Sequence, residues 1–251
     1  MNIYNIFMNK LYEGTISCKA LLENPKRICI CLYVDKKKRT KDFRYIIHLA
    51  QKRNCKVVVT NRDQLDQMAS SKTHGGMLLE AKTRQFDSPQ KINGWSVYID
   101  GLEDPYNLGS VCRTLYAAGC DGLILPFRDW QKAETIILRS SAGAFEKLPI
   151  YMVKDDEALI QYLNTNDIPL YCAYRNQAQS LYDITFPDIC CIAIGGAYRG
   201  LSRTLLDHAY QNVYIEYGRD FRNALDTASA CAVFGFEIMR KRRNENANQS
   251  R

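Results

Sequence analysis

The sequence predicts a two-domain α/β protein, and three observations carry that prediction. Runs rich in β-formers alternate with stretches of helical period along most of the chain. Positive charge is concentrated in the first third, and a stretch over 85–93 with Pro89 and few large apolar residues lies between two element-rich regions. At 251 residues the chain suits one or two compact units. The boundaries read as 1–84, a linker over 85–93, and 94–251. No apolar run approaches the roughly 20 residues that span a bilayer, and the first residues lack the basic region of a secretory signal. A cytoplasmic protein without membrane contact is expected.

In the first domain the pattern predicts a helix over 15–22 and a strand over 28–34. A helix over 42–54 follows, with Phe43, Ile46, Ile47 and Ala50 inward, then a strand over 56–60. A helix over 62–69 and a strand over 75–81 complete it. Residues 1–92 hold 18 Lys and Arg against 8 Asp and Glu, whereas 93–251 hold 16 against 19. A cationic surface carried by Lys36, Lys37, Lys38, Arg39, Lys41 and Arg44 would attract a phosphate backbone without reading its sequence. RNA is the expected polyanion, although a single lysine-rich run also serves solubility.

The second domain opens on a strand over 95–100, which alternates apolar and polar residues. Asp104-Pro105 breaks that run and Asn107 is a candidate N-cap. Leu108, Val111, Leu115 and Ala118 then recur at helical spacing until Gly119, before an apolar run over 123–125. A helix over 133–142, a strand over 148–153, a helix over 155–164 and strands over 169–173 and 189–194 follow. Strands separated by helices indicate a parallel sheet. A last helix over 223–243 places Leu225, Ala228, Ala232, Phe236 and Met239 on one stripe, which is expected to be buried.

The ten cysteines are scattered through apolar patterns without a Cys-x-x-Cys pair, and His48, His74 and His208 have no ligand spacing to them. Buried reduced thiols and no metal are expected. Gly195, Gly196 and Gly200 follow a strand, but the Gly-x-Gly-x-x-Gly fingerprint of a dinucleotide fold is absent. An ordinary Rossmann-type nucleotide enzyme is disfavoured.

The strand, loop and helix over 95–118 would bring Asn107 and Arg113 near the carboxyl end of a strand, where open α/β sheets bind ligands. Alone, an N-cap Asn and a solvated Arg are common structural residues. The whole run Asp104-Pro105-x-Asn107-x-Gly109-x-x-x-Arg113 resembles the first motif of the TrmH (SpoU) family of RNA ribose 2′-O-methyltransferases. The segments over 139–149, 194–202 and 215–242 resemble the rest of that family's pattern, so nearly the full chain is covered. The first domain resembles the small ribosomal-protein-like domain of many TrmH proteins, with His74-Gly75-Gly76 where they often carry His-Gln-Gly.

The resemblance implies a SPOUT-type parallel sheet with a deep trefoil knot, S-adenosylmethionine as cofactor, RNA as substrate and a homodimer. It implies that backbone groups of Ile194, Gly195, Gly196, Gly200, Ile215, Tyr217, Gly218 and Leu225 surround the cofactor, and that Asn107 and Arg113 orient or activate the ribose hydroxyl. The sequence departs from the family where Ala197 replaces a Glu, and where Ala224-Leu225-Asp226 replaces Ser-Leu-Asn. Arg113 would be an unusual base, since guanidinium stays protonated. Asp226 is then either a substitute carboxylate base or a cap of the terminal helix. Two functions are consistent with these residues. One is methyl transfer to a ribose 2′-hydroxyl of ribosomal or transfer RNA, and the other is noncatalytic RNA binding on a retained methyltransferase fold.

Overall fold

The computed structural model describes residues 8–196 and 199–249. Its elements begin with β1 (Asn9–Glu13), α1 (Thr15–Glu23), β2 (Cys29–Asp35), α2 (Lys41–Lys52), β3 (Lys56–Thr60), α3 (Arg62–Met68) and β4 (Met77–Lys82). Next come β5 (Trp95–Asp100), α4 (Pro105–Ala117), β6 (Gly122–Pro126), α5 (Glu134–Ser140), α6 (Ala144–Lys147), β7 (Ile150–Val153) and α7 (Asp156–Thr165). The chain ends with β8 (Leu170–Ala173), β9 (Ala178–Ser180), β10 (Cys190–Gly195), α8 (Arg203–Asp207), β11 (Gln211–Tyr214) and α9 (Thr227–Gln249).

The chain divides into two compact units, residues 1–85 with 130–147, and residues 86–129 with 148–251. Sequence order had put 130–147 with the second domain and left 85–93 as a linker. A buried charge cluster explains the first difference. Arg27 is 4% exposed, ion-pairs with Glu134, lies 3.4 Å from Glu146 and donates to the Tyr12 hydroxyl at 2.9 Å. Leaving those carboxylates unpaired in a dry interior would be costly, so α5 and α6 are held with α1. Across the second boundary, the Met152 amide donates to the Asp87 carbonyl at 3.0 Å and Ile92 is buried among side chains of the second sheet.

In the first unit the sheet order is β1-β4-β2-β3, with only the β2–β3 pair parallel. Thr40 caps α2 by accepting from the Phe43 amide, and Phe43, Ile46 and Ala50 face inward. Arg53 closes the turn after α1 by donating to the carbonyls of Leu21, Leu22, Asn24 and Pro25, and to that of Arg27. The short β1 escaped the sequence pattern, having one fully buried residue, Tyr12.

In the second unit seven strands lie in the order β7-β6-β5-β10-β8-β11-β9, and every pair is parallel. This is the expected parallel sheet. β10 inserts between β5 and β8, which both precede it in the chain. The Asp104 carboxylate, not Asn107, caps α4, accepting from the Asn107 amide at 2.8 Å. Pro105 explains the shift, because its fixed φ and missing amide suit the first helical position. The last helix begins at Thr227 instead of residue 223, and its inward face differs from the expected stripe. Cys231, Phe234 and Ile238 are buried, while Phe236 is 44% exposed and Leu225 and Met239 are 37% exposed. Gly235 permits the tight α4–α9 contact, since a Cβ there would meet Ala118 Cβ at 3.0 Å and the Trp95 ring at 3.4 Å.

Nine of the ten cysteines are buried and the tenth, Cys29, is half-buried. Burial pushes the Cys55 thiol up to about 11 and those of Cys172, Cys190 and Cys191 up to about 12. Such thiols stay protonated and unreactive near neutrality. No helix among the described residues is long and apolar enough to cross a membrane.

Removing the cation from the buried cluster while leaving its carboxylates in place should be costly. Arg27→Ala is expected to lower unfolding free energy by about 3–5 kcal/mol, read from urea denaturation. Arg203→Ala, which removes an exposed helical pair with Asp207, is expected to change it by less than about 0.5 kcal/mol.

Candidate active site

A cavity of about 850 Å³ opens at the carboxyl ends of β8, β10 and β11. That is the side of an open parallel sheet where ligands are bound, and the volume suits a small organic molecule. Ile194, Gly195, Gly196, Gly200, Ile215, Tyr217, Leu225 and Asp226 all line it. Gly218 lines an adjoining shallow depression together with Ile215, Tyr217 and Leu225. Ala197 lies outside the described residues.

The geometry of this cavity depends on a close backbone crossing. The Gly196 amide donates to the Asp100 carbonyl at 2.6 Å, and a Cβ on Gly196 would meet the Gly101 and Asp100 carbonyl oxygens at 2.5 and 2.8 Å. Gly195 is equally confined, because its Cβ would meet the Gly200 backbone at 2.6 Å. Side chains hold Gly195 and Ser202 as well. The Asp100 Oδ2 accepts from the Ser202 amide at 2.9 Å, and the Thr227 hydroxyl donates to the Gly195 carbonyl at 3.1 Å. Asp100 and Thr227 gave no signal in the sequence; their importance comes from the backbone groups that the fold brings to them.

Asp100 is half-buried, and burial followed by the nearby Asp156 raises its carboxyl above the usual range, against the opposing effect of the Ser202 amide. The Tyr98 hydroxyl donates to Asp156 at 2.5 Å, and burial drives that phenol well up. Asp226 is shifted the other way. Its Oδ1 accepts from the Ser229 amide at 2.9 Å and its Oδ2 from the Ser229 hydroxyl at 2.5 Å, which lowers its carboxyl. The carboxylate therefore caps the first turn of α9 while it lines the cavity.

Asn107 and Arg113 are exposed on α4 and are not among the residues lining this cavity. Tyr106, 61% exposed, and Tyr116 are exposed on α4 as well. Lys36, Lys37, Lys38, Arg39, Lys41 and Arg44 are all exposed in the first unit, over the β2–α2 connection and the start of α2. The His74-Gly75-Gly76 turn adjoins them. The Asp35 amide donates to the Gly76 carbonyl at 2.9 Å, and a Cβ on Gly76 would touch the Lys38 side chain at 3.3 Å. His74 is buried, with Nε2 2.6 Å from Asp66 and Nδ1 accepting from the Gly76 amide. Among the described residues no group of three or more His, Cys, Asp or Glu could hold a metal ion.

Comparison with known proteins gives two family matches. Residues 94–236 match the SpoU rRNA Methylase family, and residues 11–86 match a family described as RNA 2′-O ribose methyltransferase substrate binding. A Staphylococcus haemolyticus protein named for the TrmH family of tRNA/rRNA methyltransferases is 28% identical over 206 residues, 78% of this chain and 82% of that protein. A Staphylococcus aureus protein of the same name is 32% identical over 145 residues, 57% of this chain and 58% of that protein. Among solved structures, the SpoU methyltransferase AviRb from Streptomyces viridochromogenes, in complex with the cofactor AdoMet, aligns with a TM-score of 0.76. It is 19% identical, and the alignment covers 94% of this chain and 91% of that one. The AdoMet-bound rRNA methyltransferase from Sinorhizobium meliloti aligns at 0.74 and 20% identity, over 93% and 87%.

The space around each glycine predicts different responses at two of them. Gly196→Ala is expected to destabilise by about 1–3 kcal/mol, since backbone must move. Gly218→Ala, whose Cβ would meet nothing within 4 Å, is expected to stay within about 0.5 kcal/mol in the same denaturation measurement. A third expectation concerns pH. A carboxyl lowered on folding adds stability above its unfolded value, about 3.9 for Asp, and loses it as pH falls through the folded value. Ser229→Ala should therefore lower the melting temperature near pH 7, and its difference from wild type should shrink as the pH is taken below about 4.

Proposed function

The chain belongs to the SpoU rRNA methylase family, and from that premise we propose that it transfers a methyl group from S-adenosylmethionine to a ribose 2′-hydroxyl of ribosomal or transfer RNA. The observation that carries this reading is the cavity at the carboxyl ends of β8, β10 and β11, which gathers seven of the eight residues expected around the cofactor. Its chemistry fits that group. Ile194, Ile215 and Leu225 supply apolar wall for an adenine. S-adenosylmethionine supplies a methyl group already activated on a sulfonium. The protein's task is to align the ribose oxygen and to assist loss of its proton.

In this reading, Arg113 holds a phosphate or the ribose hydroxyl by its fixed fork of donors, and Asn107 orients the same group. We propose that a homodimer brings them to the site, with Arg113 of one protomer facing the cavity of its partner. Two features support this. Arg113 is exposed and does not line its own chain's cavity, and Leu225 in the cavity wall and Phe236 and Met239 on α9 are exposed apolar side chains. The basic residues from Lys36 to Arg44 in the first domain, 1–84, would hold RNA beyond the modified nucleotide, a role that the substrate-binding match over 11–86 supports. The trefoil knot that the resemblance implies is part of the same reading. We propose Asp226 as the cap that shapes the wall, because Ser229 engages both of its oxygens.

The alternative of noncatalytic RNA binding draws support from Ala224 and from that engaged carboxylate, which leave fewer free polar groups on the wall. One assay separates the two. Purified protein and methyl-labelled cofactor are incubated with RNA from cells lacking the protein, and the RNA is digested to nucleosides. A labelled 2′-O-methylnucleoside is expected, with the rate lowered about 10²-fold or more in Arg113→Ala. No labelled nucleoside from ribosomal or transfer RNA would favour the noncatalytic reading. Asp226→Asn should retain the rate, because Asn caps a helix as well as Asp; its loss would make Asp226 the base.

A further inference from the structure

Residues 215–226 join β11 to α9 without a helix or strand of their own, yet several of them form a wall of the cavity. A stretch of that kind has no backbone ladder to fix its shape, so other groups must satisfy its carbonyls and hold it. Arg175, just after β8, is placed to do so. Its guanidinium donates to the carbonyls of Phe221 at 3.4 Å, Arg222 at 3.1 Å and Asn223 at 3.3 Å. The same group lies over the Tyr217 ring, 4.5 Å from its centroid. The Tyr217 hydroxyl in turn accepts from the Leu225 amide at 3.1 Å. One side chain therefore reaches residues 217 and 221–223 directly, and residue 225 through the tyrosine.

A planar guanidinium suits this arrangement. It presents several donors in one plane and a flat face to the ring, whereas an ammonium is a single strongly hydrated point. Arg175 is exposed, so the interaction is not a buried structural ion pair whose loss would unfold the sheet.

We propose that Arg175 is a positioning residue for the cofactor, clasping residues 217–225 in the shape that receives S-adenosylmethionine. This rests on the reading of the cavity given above. The clasp acts by preorganisation: ordering of the wall is completed before binding instead of being charged against it. It acts through that segment and not on the methyl group or the ribose.

The test compares wild type, Arg175→Ala, Arg175→Lys and Tyr217→Phe. In Arg175→Ala the KM for S-adenosylmethionine should rise about tenfold while kcat at saturating cofactor stays within about twofold, and the KM for RNA is unchanged. Arg175→Lys should resemble Arg175→Ala. In cofactor-free protein, amide exchange at Leu225 should accelerate in Arg175→Ala and in Tyr217→Phe, with strands β5 and β10 as protected as in wild type. Unchanged cofactor KM, a rise confined to the KM for RNA, full rescue by lysine, or unchanged Leu225 exchange would each overturn the clasp. Absence of cofactor binding by wild type would instead overturn the cavity assignment, and the exchange measurement would still decide whether Arg175 orders the wall.

Discussion

Two stretches of backbone meet where β5 and β10 end, and the candidate site is built around that meeting. The Gly196 amide lies 2.6 Å from the Asp100 carbonyl, in space that any Cβ would need. Once the chains are this close, the Asp100 carboxylate can reach the Ser202 amide and the Thr227 hydroxyl can reach Gly195, so these two residues are each held by a side chain. The cavity lies beside it. Its shape therefore follows from the absence of two side chains and the placement of two polar ones, which leaves the remaining wall residues freer to vary.

The first unit is held by different physics. Arg27 sits in a dry interior between Glu134 and Glu146, and desolvating three charges is tolerable only because each meets an opposite one. The carboxylates arrive from residues 130–147, far along the chain, so the cluster closes the unit with a segment that sequence order puts elsewhere. Arg53 and Arg175 show another use of guanidinium, the first donating to carbonyls in the last turn of α1 and just after it, the second to carbonyls of the irregular stretch before α9. In both units arginine satisfies carbonyls where a regular element ends or is missing.

Much of the fold could be read from the sequence because it rests on local periodicity. The alternation over 95–100 and the helical spacing after it gave β5 and α4, and repetition of that pattern gave the parallel sheet. Short elements such as β1, β9 and β11 were missed, since three to five residues with mixed burial carry too little periodic signal. The terminal helix shows a different limit. It carries two apolar stripes, and periodicity cannot say that Cys231, Phe234 and Ile238 face inward while Phe236 and Met239 face out. At the site, the residues expected around the cofactor came from resemblance and seven of them line one cavity, whereas Asp100, Thr227 and Arg175 make contacts between segments distant in sequence. Pro105 marks Asp104 as the cap, because the preference of proline for the first helical position outweighs that of asparagine for the cap.

The central claim is that the glycine crossing builds a pocket for S-adenosylmethionine, and calorimetric titration tests it most directly. Wild type and Gly196→Val would be titrated with the cofactor, with circular dichroism confirming that the variant remains folded. Saturable binding by wild type that disappears in the folded variant is the predicted result. No binding by wild type, or equal affinity in the two proteins, would contradict it.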